Sequence, residues 1–155
     1  MTIEQTVRRQ RRFFAKGLTK NLAFRRNALR RLHSEISRST DEFITALRLD
    51  LGRAATESYM AEIGLALDEI RHLLRHRGRW AAPRPVATPL MHFPSRSFVL
   101  PEPYGVALVM APWNYPFLLS IEPLAGALAA GNCVVLKPSA YAPATSALLA
   151  DLLAQ

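Results

Sequence analysis

Two prolines bracket three residues with chemical potential: Trp113, Asn114 and Tyr115 lie between Pro112 and Pro116. The Asn114 amide carries N–H donors and no competing charge. A preorganised donor of this kind, aimed at a developing oxyanion, contributes about 3 kcal/mol to a transition state. A loop asparagine also serves simply to close a turn, and the spacing alone leaves both uses open. Further on, Lys137 closes a short apolar run and is followed by Pro138 and Ser139. There it offers one positive charge in an otherwise nearly neutral stretch.

Other reactive residue types carry less. Cys133 is the chain's one cysteine. It opens an apolar strand two residues after the helix stop Gly131, where a thiol behaves as a small apolar group. His72 and His76 have the i, i+4 spacing of helical metal ligands. No third ligand is signalled nearby, and Arg71, Arg75, Arg77 and Arg79 would repel a cation, so no metal site is expected. Glu62, Asp68 and Glu69 read as the solvated face of a helix. Glu122 and Asp151 fall on helices away from the candidate loop.

The elements that must position these groups are legible in the pattern. Val106–Ala111 is an unbroken apolar run with β-branched residues, expected as a strand buried on both faces. Phe117–Ala130 is rich in Leu and Ala, and Gly131 stands where a helix ends. Cys133–Leu136 is a second buried strand. Strand, helix and strand within about 30 residues form a βαβ unit of a parallel sheet. Parallel strands end on one edge, and ligands of open α/β sheets bind outside those carboxyl ends. Trp113, Asn114, Tyr115, Lys137 and Ser139 are therefore expected around one crevice. Pro143 opens a last helix, with Ala147, Leu148, Leu149, Leu152 and Leu153 as its apolar face.

Residues 1–80 read as helices. Thr2 with Gln5 forms a capping box, and Ile3, Val7, Gln10 and Phe14 track one face. A second helix over about Leu22–Ser37 buries Leu29, Leu32 and Ile36. Ser39 with Glu42 reads as another capping box, before Phe43, Ile44, Leu47 and Leu51; Gly52 stops that helix. Tyr59, Ile63, Ala66, Ile70 and Leu73 mark the next, with Gly78 past its end. Trp80–Pro94 is a proline-spaced connector, expected to drape over the surface. Ser97–Leu100 after it is a short edge strand.

The runs APWNYP, PLAGALAAGN and VVLKPS, in this order, resemble the aldehyde dehydrogenase superfamily, in the class-3-like form of fatty and aromatic aldehyde dehydrogenases. The resemblance covers nearly the whole chain but only the first part of a family member. It implies an α/β fold: amino-terminal helices and a Rossmann-like βαβ unit, incomplete relative to the family fold. Residues 1–155 would be a partial dinucleotide-binding domain, with a helical segment (1–80), a connector with a projecting, subunit-pairing strand (81–104) and the βαβ core (105–155).

By the resemblance, Asn114 corresponds to the oxyanion asparagine and Lys137 to the lysine that reaches the adenosine ribose or a 2′-phosphate. Pro112 and Trp113 line the nicotinamide side, Ser139 belongs to the cofactor side, and Tyr115 lines the aldehyde entrance. The cofactor would be NAD or NADP. Ala140 stands where the family usually has a ribose-binding glutamate, which leaves that choice open. The nucleophilic cysteine and general-base glutamate of the family have no counterpart in these residues. The expectation is an amino-terminal part, inactive alone, that oxidises aldehydes only when completed, and that self-associates or pairs with an intact relative.

Composition bounds the alternatives. Half the residues are hydrophobic and 21% are charged, as in a globular chain. The net charge of +8 belongs to residues 1–80, while residues 81–155 carry equal numbers of acids and bases. The arginine-rich first helices admit a second reading, a non-enzymatic module for nucleic acid or anionic membrane. The preferred reading is a solvated helix face whose arginine stems cover apolar surface. No run approaches the ~20 apolar residues of a membrane span, and no apolar signal core precedes Arg8–Arg31, which also resembles a transit peptide in its charge. A cytoplasmic setting fits these features and the single cysteine.

Overall fold

The structure, a computed structural model, describes residues 2–154. Five helices come first: α1 (Ile3–Ala15), α2 (Leu22–Arg38), α3 (Thr40–Leu51), α4 (Ala55–Ser58) and α5 (Gly64–Trp80). Two short strands follow, β1 (Arg84–Val86) and β2 (Ser97–Val99). Then come β3 (Val106–Met110), α6 (Leu118–Ala130), β4 (Cys133–Lys137) and α7 (Pro143–Ala154). The Thr2–Gln5 capping box is present. The Asn21 carboxamide accepts from the Ala23 and Phe24 N–H groups and starts α2. Gly52 ends α3.

One wide π-turn, Tyr59–Ile63, joins α4 to α5. It brings the Tyr59 carbonyl within 3.0 Å of where a Cβ on residue 64 would stand, and glycine fills that position. Such turns often accompany functional sites. Here the turn carries Glu62, which is fully buried.

The core gathers around α6. Leu29 and Ile36 of α2, Phe43 of α3 and Ile70 of α5 are wholly enclosed with Phe117 and Ile121. Each such side chain contributes about 1.5–3 kcal/mol. The Phe43 and Phe117 rings sit 4.5 Å apart, so the residue just before α6 is anchored in the helical half. β3 and β4 pair in parallel, from Val106 opposite Cys133 to Met110 opposite Lys137. α6 makes the crossover between them, and both it and α1 pack on the pair.

Several expectations need correction. β3 is not buried on both faces: Val109 is enclosed, but Leu108 and Met110 are 62% and 68% exposed. Their sheet has two strands, and among the described residues nothing covers that face. The Ser39–Glu42 capping box does not form. Ser39 donates its N–H to the Glu35 carbonyl while closing α2, and at φ −96° and ψ 18° its backbone departs from the extended form of an N-cap. Helix α5 runs past Gly78 to Trp80, and Tyr59 is half-exposed rather than on the inner stripe. On α7, Leu149 and Leu152 are buried but Ala147 and Leu153 are exposed. The connector does not drape. Its Arg84–Val86 segment pairs antiparallel with Ser97–Val99, and Leu90, Met91 and Phe93 are each more than 80% exposed.

A buried arginine closes the far end of α6. Arg25 Nε donates to the Thr19 carbonyl at 2.7 Å, Nη2 to Lys20 O at 3.3 Å and Nη1 to Ala129 O at 3.4 Å. A cation at a helix C-terminus complements the helix dipole. Gly131 (φ +93°) makes room for it, since a Cβ there would stand 2.6 Å from the guanidinium carbon. Gly131→Ala is expected to displace Arg25 and destabilise the chain by about 2–4 kcal/mol, combining left-handed strain with lost buried hydrogen bonds. A urea titration measures this, and an unchanged midpoint contradicts it.

Candidate functional site

The strands β3 and β4 end together, and the ladder continues one step as Ala111 N–H donates to Lys137 O at 3.1 Å. The loops that leave them therefore start side by side. Pro112, Trp113, Asn114 and Tyr115 are exposed on the first, and Lys137 at the root of the second. This is the shared edge that the βαβ pattern requires. Ser139 lies in the second loop but is buried. Its hydroxyl accepts from Tyr141 N–H at 3.2 Å, and its carbonyl accepts from Ser146 Oγ at 2.8 Å. Its side chain thus shapes the loop. Ala140 beside it is exposed and brings no carboxylate to the edge.

Groups outside the edge fix the first loop. Glu62, in the π-turn, accepts on Oε2 from the Phe117 and Leu118 N–H groups at 2.9 and 3.0 Å, capping the start of α6. Its Oε1 pairs with Arg53 Nη1. Arg53 Nη2 donates to the Asn114 carbonyl at 2.6 Å, and its guanidinium stacks 4.4 Å from the Tyr115 ring centroid. Ser120 Oγ donates to Pro116 O at 2.6 Å. The start of α7, beyond the second loop, is capped in the same manner: Asp50 accepts from Ala144 and Thr145 N–H at 3.0 and 2.8 Å.

The sequence reading places none of these supports at the site, and its solvated Glu62 is corrected here: the side chain is fully buried. The signal was available: Glu62 lies four residues before Ala66 and eight before Ile70, on the apolar stripe itself. Arg53 and Asp50 carried no such signal, because the backbone groups they hold, at Asn114, Ala144 and Thr145, are remote in sequence.

Cys133 is buried at the opposite end of β4, about 13 Å from the edge at 3.3 Å per residue. Burial pushes its thiol above the ordinary value, away from the reactive thiolate. His76 stacks on Trp80 and His72 lies tilted against the same ring, and His76 Nδ1 lies 2.9 Å from the His72 carbonyl oxygen. Among the described residues no three potential ligands gather into a metal site, and no helix is long and apolar enough to cross a membrane. A cavity of about 290 Å³ bounded by Phe13, Phe24, Leu124 and Leu136 includes none of the edge residues.

Asn114 and Lys137 thus leave adjacent parallel strands at their carboxyl ends, the edge outside which open α/β sheets bind ligands. The chain belongs to the Aldehyde dehydrogenase family, whose pattern it matches over residues 2–155. It is 45% identical over 145 residues to Aldehyde dehydrogenase family 3 member H1 of Arabidopsis thaliana, covering 94% of this chain and 30% of that protein. It is 38% identical over 151 residues to 4,4'-diaponeurosporen-aldehyde dehydrogenase of Staphylococcus aureus, covering 97% and 33%. The substrate-bound structure of Staphylococcus aureus AldH superposes with a TM-score of 0.95 at 38% identity, covering 98% of this chain and 33% of that one. The chain spans about a third of the length of these relatives.

Burial raises the Glu62 carboxyl above its ordinary value of 4.5, while the Leu118 and Phe117 N–H groups and the Arg53 charge pull the other way. A carboxyl whose native pKa exceeds its unfolded one favours folding below the unfolded value, and that contribution is lost as pH rises through the native value. Glu62→Ala, which strands Arg53 and two N–H groups, is expected to lower stability by about 3 kcal/mol. Glu62→Gln keeps an acceptor but cannot ionise. It should lose less, and its stability should decline less steeply as pH rises above 4.5. Urea titrations across pH decide it; a parallel pH dependence in the two proteins contradicts the assignment.

Proposed function

We propose that this segment forms the oxyanion side and part of the cofactor side of an NAD- or NADP-dependent aldehyde dehydrogenase, which oxidises an aldehyde to a carboxylic acid. The observation that carries the reading is the common edge: Asn114, Trp113, Tyr115 and Lys137 stand exposed where β3 and β4 end. Residues 1–155 are then part of a dinucleotide-binding domain, and the rest of the enzyme corresponds to the two thirds of each relative that this chain does not span.

In this reading the Asn114 side-chain amide donates to the carbonyl oxygen of the aldehyde as negative charge develops on it. A donor already fixed in place needs no reorganisation during the reaction. Tyr115 lines the entrance for the aldehyde. The backbone of Pro112 and Trp113 borders the nicotinamide side. Lys137 offers its ammonium to the ribose hydroxyls or to a 2′-phosphate, and the buried Ser139 holds the adjoining loop. These residues fit a dinucleotide: the charge is exposed at a sheet edge, and Ala140 leaves a phosphate unopposed. The cofactor, when bound, accepts the hydride. Cys133 supplies no thiolate, so the nucleophile and the water-activating carboxylate come from the remainder of the enzyme. The exposed apolar hairpin of β1 and β2 suits pairing with another copy.

In an enzyme carrying this segment, Asn114→Ala should lower kcat about 10²–10³-fold while the KM for cofactor stays within about twofold. Steady-state kinetics with a fatty or aromatic aldehyde measures this, and an unchanged kcat removes the oxyanion role. Lys137→Ala should weaken NAD(P) binding about tenfold, the loss of one charge-assisted contact. Fluorescence titration reads the affinity, and equal affinity removes Lys137 from the cofactor site.

A further inference from the structure

Arg53 and Glu62 belong to the helical half, yet between them they hold the chain from the loop into α6 at four residues, Asn114, Tyr115, Phe117 and Leu118. Arg53 directly follows the end of α3, and its side chain is only 13% exposed. Its Nη2 grips the carbonyl of Asn114 at 2.6 Å, and its guanidinium face covers the Tyr115 ring. Its Nη1 meets Glu62, whose second oxygen takes the N–H groups of Phe117 and Leu118. An exposed ion pair of this kind would matter little. Here Glu62 is fully enclosed, and each partner is spent on the loop backbone. A guanidinium alone among side chains can serve a carboxylate, a carbonyl and a ring face together. Arg53 also lies 3.6 Å from the exposed Glu57 carboxylate, a contact that helps orient its Nε side.

We propose that Arg53 and Glu62 are positioning residues for Asn114, fixing the backbone of the Pro112–Pro116 loop so that the side-chain amide points to the place where the oxyanion develops. This rests on the oxyanion role proposed above. Neither residue moves a proton or touches substrate. With the Asn114 carbonyl pinned and Pro112 fixing φ on the strand side, the amide keeps only its own side-chain rotations. Misplacement of a catalytic group by about 1 Å costs on the order of 10²-fold in rate.

A double-mutant cycle in an enzyme carrying this segment tests the catalytic part. Arg53→Met should lower kcat roughly 10–100-fold with little change in the KM for cofactor. Arg53→Lys keeps the charge beside Glu62 but loses the fork; it should keep the wild-type Tm and lose nearly as much kcat. In an Asn114→Ala background, Arg53→Met should cost no further kcat, because the amide it positions is gone. Equal losses in the two backgrounds, or a fully active Arg53→Lys, overturn the proposal. If Asn114→Ala itself leaves kcat intact, the oxyanion reading fails instead, and the positioning is decided on the 155-residue chain. There Trp80→Phe leaves Trp113 as the one tryptophan, adjacent to Asn114. Arg53→Met and Arg53→Lys should each lower the fluorescence anisotropy of Trp113 as the loop loosens locally. Unchanged anisotropy overturns the proposal whatever the activity.

Discussion

Helix α6 is held at both ends by buried charges of opposite sign, and the candidate site depends on that clamp. Glu62 caps its first N–H groups, and Arg25 takes the Ala129 carbonyl at its last turn. Each charge complements the helix dipole where it sits. Each also replaces, with directed hydrogen bonds, the water it lost on burial, without which an enclosed charge would be strongly unfavourable. Both come from the helices of residues 1–80. The crossover helix between β3 and β4 is therefore positioned by the helical half as well as by its own strands.

This arrangement divides the labour. The α/β half presents the amide and the ammonium, at the edge that parallel strands must share. The helical half supplies the fastenings: its carboxylates hold the starts of α6 and α7, and Arg53 holds the loop between β3 and α6. The basic excess of residues 1–80 is accordingly not only a solvated face. Arg25 and Arg53 are structural cations turned inward, and α1, which carries four arginines, packs against both strands.

How much could be read from the chain follows the range of the interactions. The βαβ unit, the helix stops at Gly52 and Gly131, and the first capping box are local, so composition and period reveal them. The edge that gathers Asn114 and Lys137 follows from strand direction alone. Glu62 betrays its burial by lying on the apolar stripe, but the N–H groups that satisfy it, those of Phe117 and Leu118, stay hidden because they lie more than 50 residues away. Arg53 and Asp50 escaped for the same reason. The Ser39 box failed because two helices meet there and one residue serves both ends. The connector's strand Arg84–Val86 was hidden by its proline, which an edge strand tolerates. The buried-strand reading of β3 failed at Leu108 and Met110, since an apolar run reports what a face requires, not what covers it.

Native-state hydrogen exchange at the Phe117 and Leu118 amides tests the clamp most directly. If Glu62 fastens the start of α6, both amides exchange only through global unfolding, as slowly as the core of α5. Exchange at the rate of an open surface loop would mean that the carboxylate does not hold them, and the account of how the helical half sets the site would fall.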